Sequence, residues 1–493
     1  MPPDRPNVLL VVTDQHRADW LGHAGSPVRT PTIDRLAERG VTFSNALCAA
    51  NPCAPSRACL ASGNFFDRSP VAENDDDWPL DRPTLYGRLR DEAGYRVLGA
   101  GKFDLLKGTP YWGTDGRYRV GELGFSDAVN NAGNWDAVLS LAGDFGWPPT
   151  REDWERAAAN ADDPNDPYMA YLHDEGLAEA HIGDHRRRME AGYYGATFPT
   201  PLPPGAYCDN WLARNGLGLL ADCPVGEPWF LTVNFVGPHA PMNVTGEMHG
   251  WYRDPGVEFP GPVATGDHPV GTGVLTPPAD YTPEEHDETR RNYAAMIENV
   301  DRWLGRYLDA IEERGELADT LVVFTSDHGE MLGDHNKWAK GFPYHPSVRI
   351  PMVVAGAGVA ARGEADALVS LVDLYATVCA CAGVDPGGVD SRSLWPVLSG
   401  ATDDHRSHLR VGKTSWRAVF DGRHKLIDWR DDIEWVAADT PGEGTPEYSL
   451  FDLREDPNET ADIAAEEPAT ARRLARHLDD TEARRDGTGG KGA

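Results

Sequence analysis

Five short apolar runs punctuate the chain, each with the length and β-branched content of a strand buried on both faces. They are Asn7 to Asp14 (N-V-L-L-V-V-T-D), Tyr95 to Ala100 (Y-R-V-L-G-A), Trp229 to Val236 (W-F-L-T-V-N-F-V), Leu321 to Thr325 (L-V-V-F-T) and Ile350 to Ala355 (I-P-M-V-V-A). Between them the spacing turns helical. The segment from Thr30 and Pro31 to Gly40 offers a cap, a proline at the first position and a terminal glycine. Tyr293, Met296, Ile297, Val300, Leu304, Tyr307, Leu308 and Ile311 have the three-and-four spacing of an amphipathic helix ending near Gly315. Strands alternating with helices predict an α/β fold with a large, mostly parallel sheet sandwiched by helices.

From about 105 to 228 the pattern weakens into Asp-, Gly-, Pro- and Trp-rich sequence, with D-D-P-N-D-P at 162–167 and P-T-P-L-P-P-G at 199–205. We expect an insertion over the sheet that shapes a pocket, within a catalytic domain spanning 1–385. Residues 386–493 predict a smaller α+β domain, in which W-R-A-V-F-D-G-R-H-K-L-I forms a hairpin turning at Asp421-Gly422. The final D-G-T-G-G-K-G-A has the composition of a disordered tail. No run approaches the roughly 20 apolar residues of a membrane helix. Met1 to Pro6 lacks the basic and apolar regions of a secretory signal. The expectation is a soluble, cytoplasmic protein.

Charge narrows the partners. With 78 acidic against 46 basic residues the net charge is −32, which argues against nucleic acid and anionic membrane as partners. An anionic substrate would then need locally concentrated cations or a metal. Only 7 of the 46 basic residues are Lys, a bias that either a GC-rich genome or a high-salt interior would produce. The 7 cysteines, odd in number and without C-x-x-C spacing, read as reduced thiols, most of them small buried hydrophobes. Self-association into a homo-oligomer is left open.

The chemistry gathers at the ends of the strands. The runs end in Asp14-Gln15, Gly101-Lys102, Gly237-Pro238-His239 and Ser326-Asp327-His328. Ligands of open α/β sheets bind at the carboxyl ends of the strands, so four such endings on one edge amount to a site. Asp14, Gln15, Asp327 and His328 supply mainly oxygen donors plus one imidazole, suiting Ca²⁺, Mg²⁺ or Mn²⁺. In Asn51-Pro52-Cys53-Ala54-Pro55-Ser56-Arg57, Pro55 sets Cys53 near a helix N-terminus, where anions are favoured, with Arg57 on the same face. A bare thiolate facing an anionic substrate has poor electrostatics, so Cys53 stands out without its role being fixed.

C-A-P-S-R matches the C-x-P-x-R signature of sulfatases, and N-V-L-L-V-V-T-D-Q, T-P-T-I-D-R-L-A-E-R-G-V-T-F, S-D-H-G-E-M-L-G-D-H, K-W-A-K-G and L-F-D-L-R-E-D-P-N-E-T resemble that family in the same order. The resemblance implies an alkaline-phosphatase-like fold and hydrolysis of a small anionic sulfate ester. It implies that a formylglycine-generating enzyme oxidises Cys53 to the formylglycine nucleophile. Asp14, Gln15, Asp327 and His328 would hold one divalent cation with residue 53, calcium expected ahead of manganese or magnesium. Arg57 would steady the nucleophile, Lys102 and Lys340 would cradle sulfate oxygens, and His239 would protonate the departing alcohol. Gln15 and His328, where many sulfatases have Asp and Asn, look more like the choline-sulfatase and phosphonate-monoester-hydrolase branch. That keeps phosphonate monoester or phosphodiester hydrolysis as the alternative. Asp104 stands where histidine is common, and would either meet a cationic substrate group or orient Lys102.

Overall fold

A computed structural model describes residues 5–143, 150–254, 256–263, 282–429 and 448–488, with side chains described as far as residue 478. The five apolar runs form strands, and three less apolar segments join them. In chain order these are β1 (Asn7–Thr13), β2 (Val41–Leu47), β3 (Arg96–Gly101), β4 (Asp127–Asn130), β5 (Trp229–Asn234), β6 (Thr320–Ser326), β7 (Met352–Gly356) and β8 (Gly363–Ser370). Their spatial order is β4-β3-β5-β1-β6-β7-β2-β8. Every neighbouring pair is parallel except those of β7, which runs antiparallel to β6 and β2. The sheet is thus mixed and mostly parallel.

Alternation along the central strands divides the core. Leu9 and Val11 pack with Leu231, Phe324 and the long helix Pro283–Glu313 on one face. Val8, Leu10 and Val12 pack with Phe230, Val323 and helices Cys53–Ser62 and Asp373–Ala382 on the other. Each such buried aliphatic side chain contributes about 1.5–3 kcal/mol. With every residue of β1, β5 and β6 buried, sliding one strand would displace a whole row of these contacts. The register therefore fixes what emerges at the strand ends. Thr13 pairs with Ser326, and Gly101 pairs with both Asn234 and Asn130, so Asp14, Lys102 and Asp327 leave the sheet along one edge.

Three details differ from the sequence reading. Thr30 does not cap its helix; its hydroxyl donates to Asp34 at 2.9 Å and accepts from the Gly22 N–H at 2.8 Å. The buried Asp301 of the long helix accepts from the Thr32 and Ile33 amides instead, at 3.0 and 2.8 Å. The long helix begins well before Tyr293, because Thr282 and Glu285 form a reciprocal capping box ahead of Pro283. And the stretch 105–228 is no mere insertion over the sheet: it supplies β4, and its helix Cys208–Asp222 packs on β3.

A second sheet is made of β9 (Leu409–Lys413), β10 (Trp416–Phe420), β11 (His424–Trp429) and β12 (Tyr448–Asp452), antiparallel in the order β12-β11-β10-β9. The hairpin turns at Asp421-Gly422 as expected, Phe420 pairing with Lys425. The helix Pro468–Thr488 covers this sheet, with Ala471, Leu474 and Leu478 on Val419, Leu426 and Leu450. It takes in Asp486, Gly487 and Thr488 of the expected tail, and residues 489–493 lie outside the described residues. Two hydrogen bonds stitch the sheets together beside the strand-end edge: Asn51 N–H to Gly412 O at 3.2 Å, and Trp416 Nε1–H to Gly341 O at 2.7 Å. All 7 cysteines are free and buried. No described helix is long and apolar enough to cross a membrane.

Candidate active site

Cys53 opens the helix Cys53–Ser62 and is fully buried. Two bonds set the angle of that helix: Ala54 N–H to Asn74 Oδ1 at 3.0 Å, and Ser56 Oγ–H to the Asp327 carbonyl at 2.6 Å. They carry the Cys53 thiol to within 3.1 Å of His328 Nε2 and 3.6 Å of Asp14 Oδ1. Donor atoms of Asp14, Cys53, Asp327 and His328 all lie within 4.8 Å of one another, and all four residues are buried. His328 Nδ1–H donates to Gly329 O at 2.9 Å, which leaves Nε2 turned into the group.

Cations brace this cluster from behind. Arg57 donates from Nε to Asp327 Oδ2 at 3.0 Å and from Nη2 to Asp14 Oδ2 at 3.2 Å. Its Nη1 donates to the Lys102 carbonyl and to Asn234 Oδ1, at 2.7 and 3.0 Å. Lys102, buried at the end of β3, sits 2.6 Å from Asp14 and 3.2 Å from Asp104. Its backbone N–H continues the ladder to Asn234 O at 3.0 Å. A side chain at Gly101 would start 2.0 Å from that same carbonyl, so the close approach of β3 and β5 beneath Lys102 requires glycine there. Asp104 also lies 3.5 Å from Lys107, and therefore links two ammonium groups.

The front is closed by Gln15, Lys340 and His239. Gln15 adopts φ +68°, a left-handed conformation that aims its N–H at Asp327 Oδ1, 3.0 Å away. Its side-chain amide donates to Tyr194 and to the buried Glu330, while its Oε1 accepts from Lys340 at 2.8 Å. Glu330 also accepts from the Ala339 N–H at 2.6 Å, which fixes the segment bearing Lys340. Lys340 in turn touches His239 Nε2, and His239 Nδ1–H donates to Ala240 O.

The electrostatics fit a cation. Burial alone would raise the Asp14 pKa, but Lys102, His239, Arg57 and Lys340 hold it well below the usual carboxylate range. Asp327 moves the other way: burial and the Asp14 charge raise it more than His328 and Arg57 lower it. Burial and Asp14 push the Cys53 thiol up, yet Lys102, Lys340 and His328 bring it down to about 6. Burial lowers the His328 pKa, but Asp327 and Cys53 hold it up at about 9, so a cation would displace its proton. Two buried carboxylates that repel each other and this imidazole then make a donor set for a hard or borderline divalent ion. Asp14, Asp327 and His328 would hold it with residue 53, while Gln15 Oε1 accepts from Lys340 at 2.8 Å and keeps a second lone pair.

Every residue singled out in the sequence thus joins one network: Asp14, Gln15, Cys53, Arg57, Lys102, His239, Asp327, His328 and Lys340. Asn74, Tyr194, Asn234 and Glu330 were missed. Glu330 stood in the S-D-H-G-E string without a role, and Tyr194 lies in a stretch with no readable pattern. Asn74 lines the site from the acidic stretch 73–78, where Asp77 accepts from the Thr109 N–H at 3.1 Å. Beside Cys53 opens a cavity of about 370 Å³, whose lining includes Lys102, His239, Lys340, Trp135, Tyr193 and Phe342. A larger cavity of about 480 Å³, around Arg17 and Arg349, contains none of the site residues.

Comparison with known proteins identifies the family. A family model described as Sulfatase matches residues 6–384. An arylsulfatase of Clostridium perfringens is 26% identical over 476 residues, 93% of this chain and 90% of that protein. PehA of Trinickia caryophylli, a multifunctional alkaline phosphatase superfamily protein, is 28% identical over 521 residues, 95% of this chain and 92% of that one. The crystal structure of a phosphonate monoester hydrolase of Agrobacterium radiobacter superposes with a TM-score of 0.74 at 23% identity, over 98% of this chain and 96% of that one. The chain belongs to the sulfatase family, the sulfuric ester hydrolases.

Proposed function

We propose that the chain hydrolyses a small anionic sulfate ester to inorganic sulfate and an alcohol, with residue 53 as the nucleophile. The observation that carries this reading is the buried group of Asp14, Cys53, Asp327 and His328, with Arg57 behind it and a cavity in front. On this reading a formylglycine-generating enzyme first converts the Cys53 thiol to an aldehyde, whose hydrate supplies an oxygen nucleophile and later a route to release. A divalent cation, calcium first, supplies Lewis acidity and orients the sulfate oxygens.

The chain's own residues do the rest. Arg57 and Lys102 keep Asp14 ionised and turned toward the cluster, against which residue 53 is held at the start of its helix, next to the cavity wall at Pro52. Lys102 and Lys340 place ammonium groups where charge builds on sulfate oxygens as the S–O bond breaks. An ammonium on a flexible stem can track that charge, whereas a guanidinium imposes its fork. His239 and Lys340, in contact at the cavity wall, form the proton-delivering pair for the leaving oxygen.

The second reading, phosphonate monoester or phosphodiester hydrolysis on the same groups, is favoured by Gln15 and His328. A phosphodiester and a sulfate monoester share charge and shape. Turnover of para-nitrophenyl sulfate and phenyl para-nitrophenyl phosphate separates the two; a preference for the phosphodiester by orders of magnitude overturns the first. A peptide mass across residues 51–57 that is roughly 18 Da below the cysteine value marks the aldehyde. Cys53→Ala should lower sulfate turnover at least about 10⁴-fold, and full activity in that variant overturns the nucleophile.

A further inference from the structure

Lysine is scarce in this chain, 7 residues against 39 Arg, yet 4 of the 7 (Lys102, Lys107, Lys340 and Lys413) line the 370 Å³ cavity, and among the described residues no arginine does. Among the described lining residues Asp136 is the one carboxylate, with Asp14 and Asp104 against the lysines from behind the wall. Lys102 and Lys340 belong to the reacting end, through Asp14 at 2.6 Å and Gln15 Oε1 at 2.8 Å. A sulfate monoester brings one negative charge, which those two lysines already face. Lys107 and Lys413 line the same cavity apart from that reacting end, where the remainder of the substrate would lie.

Their settings differ from a solvated lysine's. Lys107 is held 3.0 Å from Asp136 and 3.5 Å from Asp104. Lys413, the last residue of β9, reaches the cavity from the second sheet and is 6% exposed. Burial pulls its pKa down, with Glu73 opposing. An ammonium kept at a desolvated wall is favoured by an anion arriving in the cavity. Asn134 makes an independent point. It is 4% exposed, lines the same cavity, and its side-chain oxygen has no hydrogen-bond donor among the described residues. Buried amides are rarely left so, and a ligand hydroxyl would satisfy it. Trp135, Tyr193 and Phe342 supply flat apolar surface for a ring, and the volume is near the small end of ligand sites.

We propose that the alcohol released is a single-ring compound bearing a second anionic group, a carboxylate or a further sulfate, which Lys413 and Lys107 bind while Asn134 takes a ring hydroxyl. This deepens the sulfatase reading and rests on it for the placement of the ester.

The test uses sulfonates, which occupy a sulfate site without being cleaved. Binding of benzenesulfonate and 3-sulfobenzoate to the matured, calcium-loaded full chain is measured by titration calorimetry. The wild type should bind 3-sulfobenzoate about tenfold tighter or more, as expected for a desolvated charge pair. Lys413→Met and Lys107→Met should each collapse that preference toward unity. Equal affinities in the wild type, or a preference that survives both substitutions, overturns the proposal. Turnover is read separately. A protein that cleaves para-nitrophenyl sulfate but ignores the carboxylate refutes this inference alone. One that shows the preference yet cleaves only the phosphodiester refutes the reaction and keeps the anion-binding wall.

Discussion

Lys425 of β11 and Glu459 form a wholly buried ion pair where the second sheet packs on the chain just after Lys340. Lys425 also donates to Pro343 O at 2.7 Å, and Glu459 accepts the His345 N–H at 2.6 Å. Burial lowers the Lys425 pKa and raises that of Glu459 despite their contact, so desolvation exceeds attraction for both partners. Lys425→Met should therefore be costly, by about 3–5 kcal/mol for a stranded buried charge. Protonation sets a ceiling: carrying Glu459 from 4.5 to neutrality at pH 7 takes 2.5 pH steps of 1.36, roughly 3 kcal/mol. Lys425→Met with Glu459→Gln removes the charge and keeps an acceptor for His345, leaving about 1 kcal/mol for the bond to Pro343. Lys425→Met should then lie about 2 kcal/mol below the double variant, and the coupling exceeds that gap by whatever Glu459→Gln costs alone.

The dependence on pH has a definite sign. Without Lys425, folded Glu459 titrates above its unfolded 4.5, so the folded state binds the extra proton and stability falls as pH rises through that window. The gap between Lys425→Met and the double variant should nearly close at pH 5. Urea unfolding monitored by tryptophan fluorescence at pH 7 and pH 5, on the wild type, both singles and the double, reads this directly. Additive losses, or a gap that is unchanged at pH 5, would refute the reasoning.

Dialysis against a chelator should abolish turnover of para-nitrophenyl sulfate, with calcium restoring it ahead of magnesium or manganese; undiminished activity in the chelated protein excludes the cation. His181 and His185, fully buried on helix Ala178–Glu190, have no hydrogen-bond partner on any ring nitrogen among the described residues. They face Arg188 and Asp184 of their own helix and Tyr168 and Trp135 of its neighbours. Burial and Arg188 hold His181 at about 3 and His185 also low, so the unfolded chain binds protons first and stability drops as pH falls below 6.5. By pH 5 this amounts to roughly 2 kcal/mol per histidine (1.36 times 1.5), and His181→Leu with His185→Leu should flatten the unfolding free energy between pH 6.5 and 5. Asp301→Ala uncaps the Thr32 and Ile33 amides and should cost about 1–2 kcal/mol in urea unfolding; a loss within error would mean that water replaces the carboxylate.

The central strands were legible because burial on both faces leaves no polar position to blur the run. The edges were not. β4 has four residues, β8 begins with the half-exposed G-E-A-D, and β2 alternates, so none makes an apolar run. The first two turns of the long helix were overlooked for a different reason. Pro283 to Arg291 is polar, and only the Thr282-to-Glu285 spacing announces it. At the site, strand-end residues could be read because register alone assembles them. Glu330, Tyr194 and Asn134 act through loops and through a stretch without periodicity, where proximity cannot be inferred from spacing. Lys413 arrives from about 300 residues beyond Lys107, on a strand whose sequence resembles its neighbours.

Gly412 and Trp416, which hold Asn51 and Gly341 from the second sheet, lie on either side of Lys413. The late part of the chain therefore reaches the cavity through Lys413, while the rest of the described lining comes from residues 52–342. A chimaera that joins residues 1–385 to the C-terminal piece of a distant relative would exchange that one contact and keep the rest of the cavity wall, provided the two stitches are kept. If Lys413 binds a second anionic group as proposed, substitutions around β9 would change which alcohols are accepted while Asp14, Cys53 and Asp327, encoded far upstream, stay fixed.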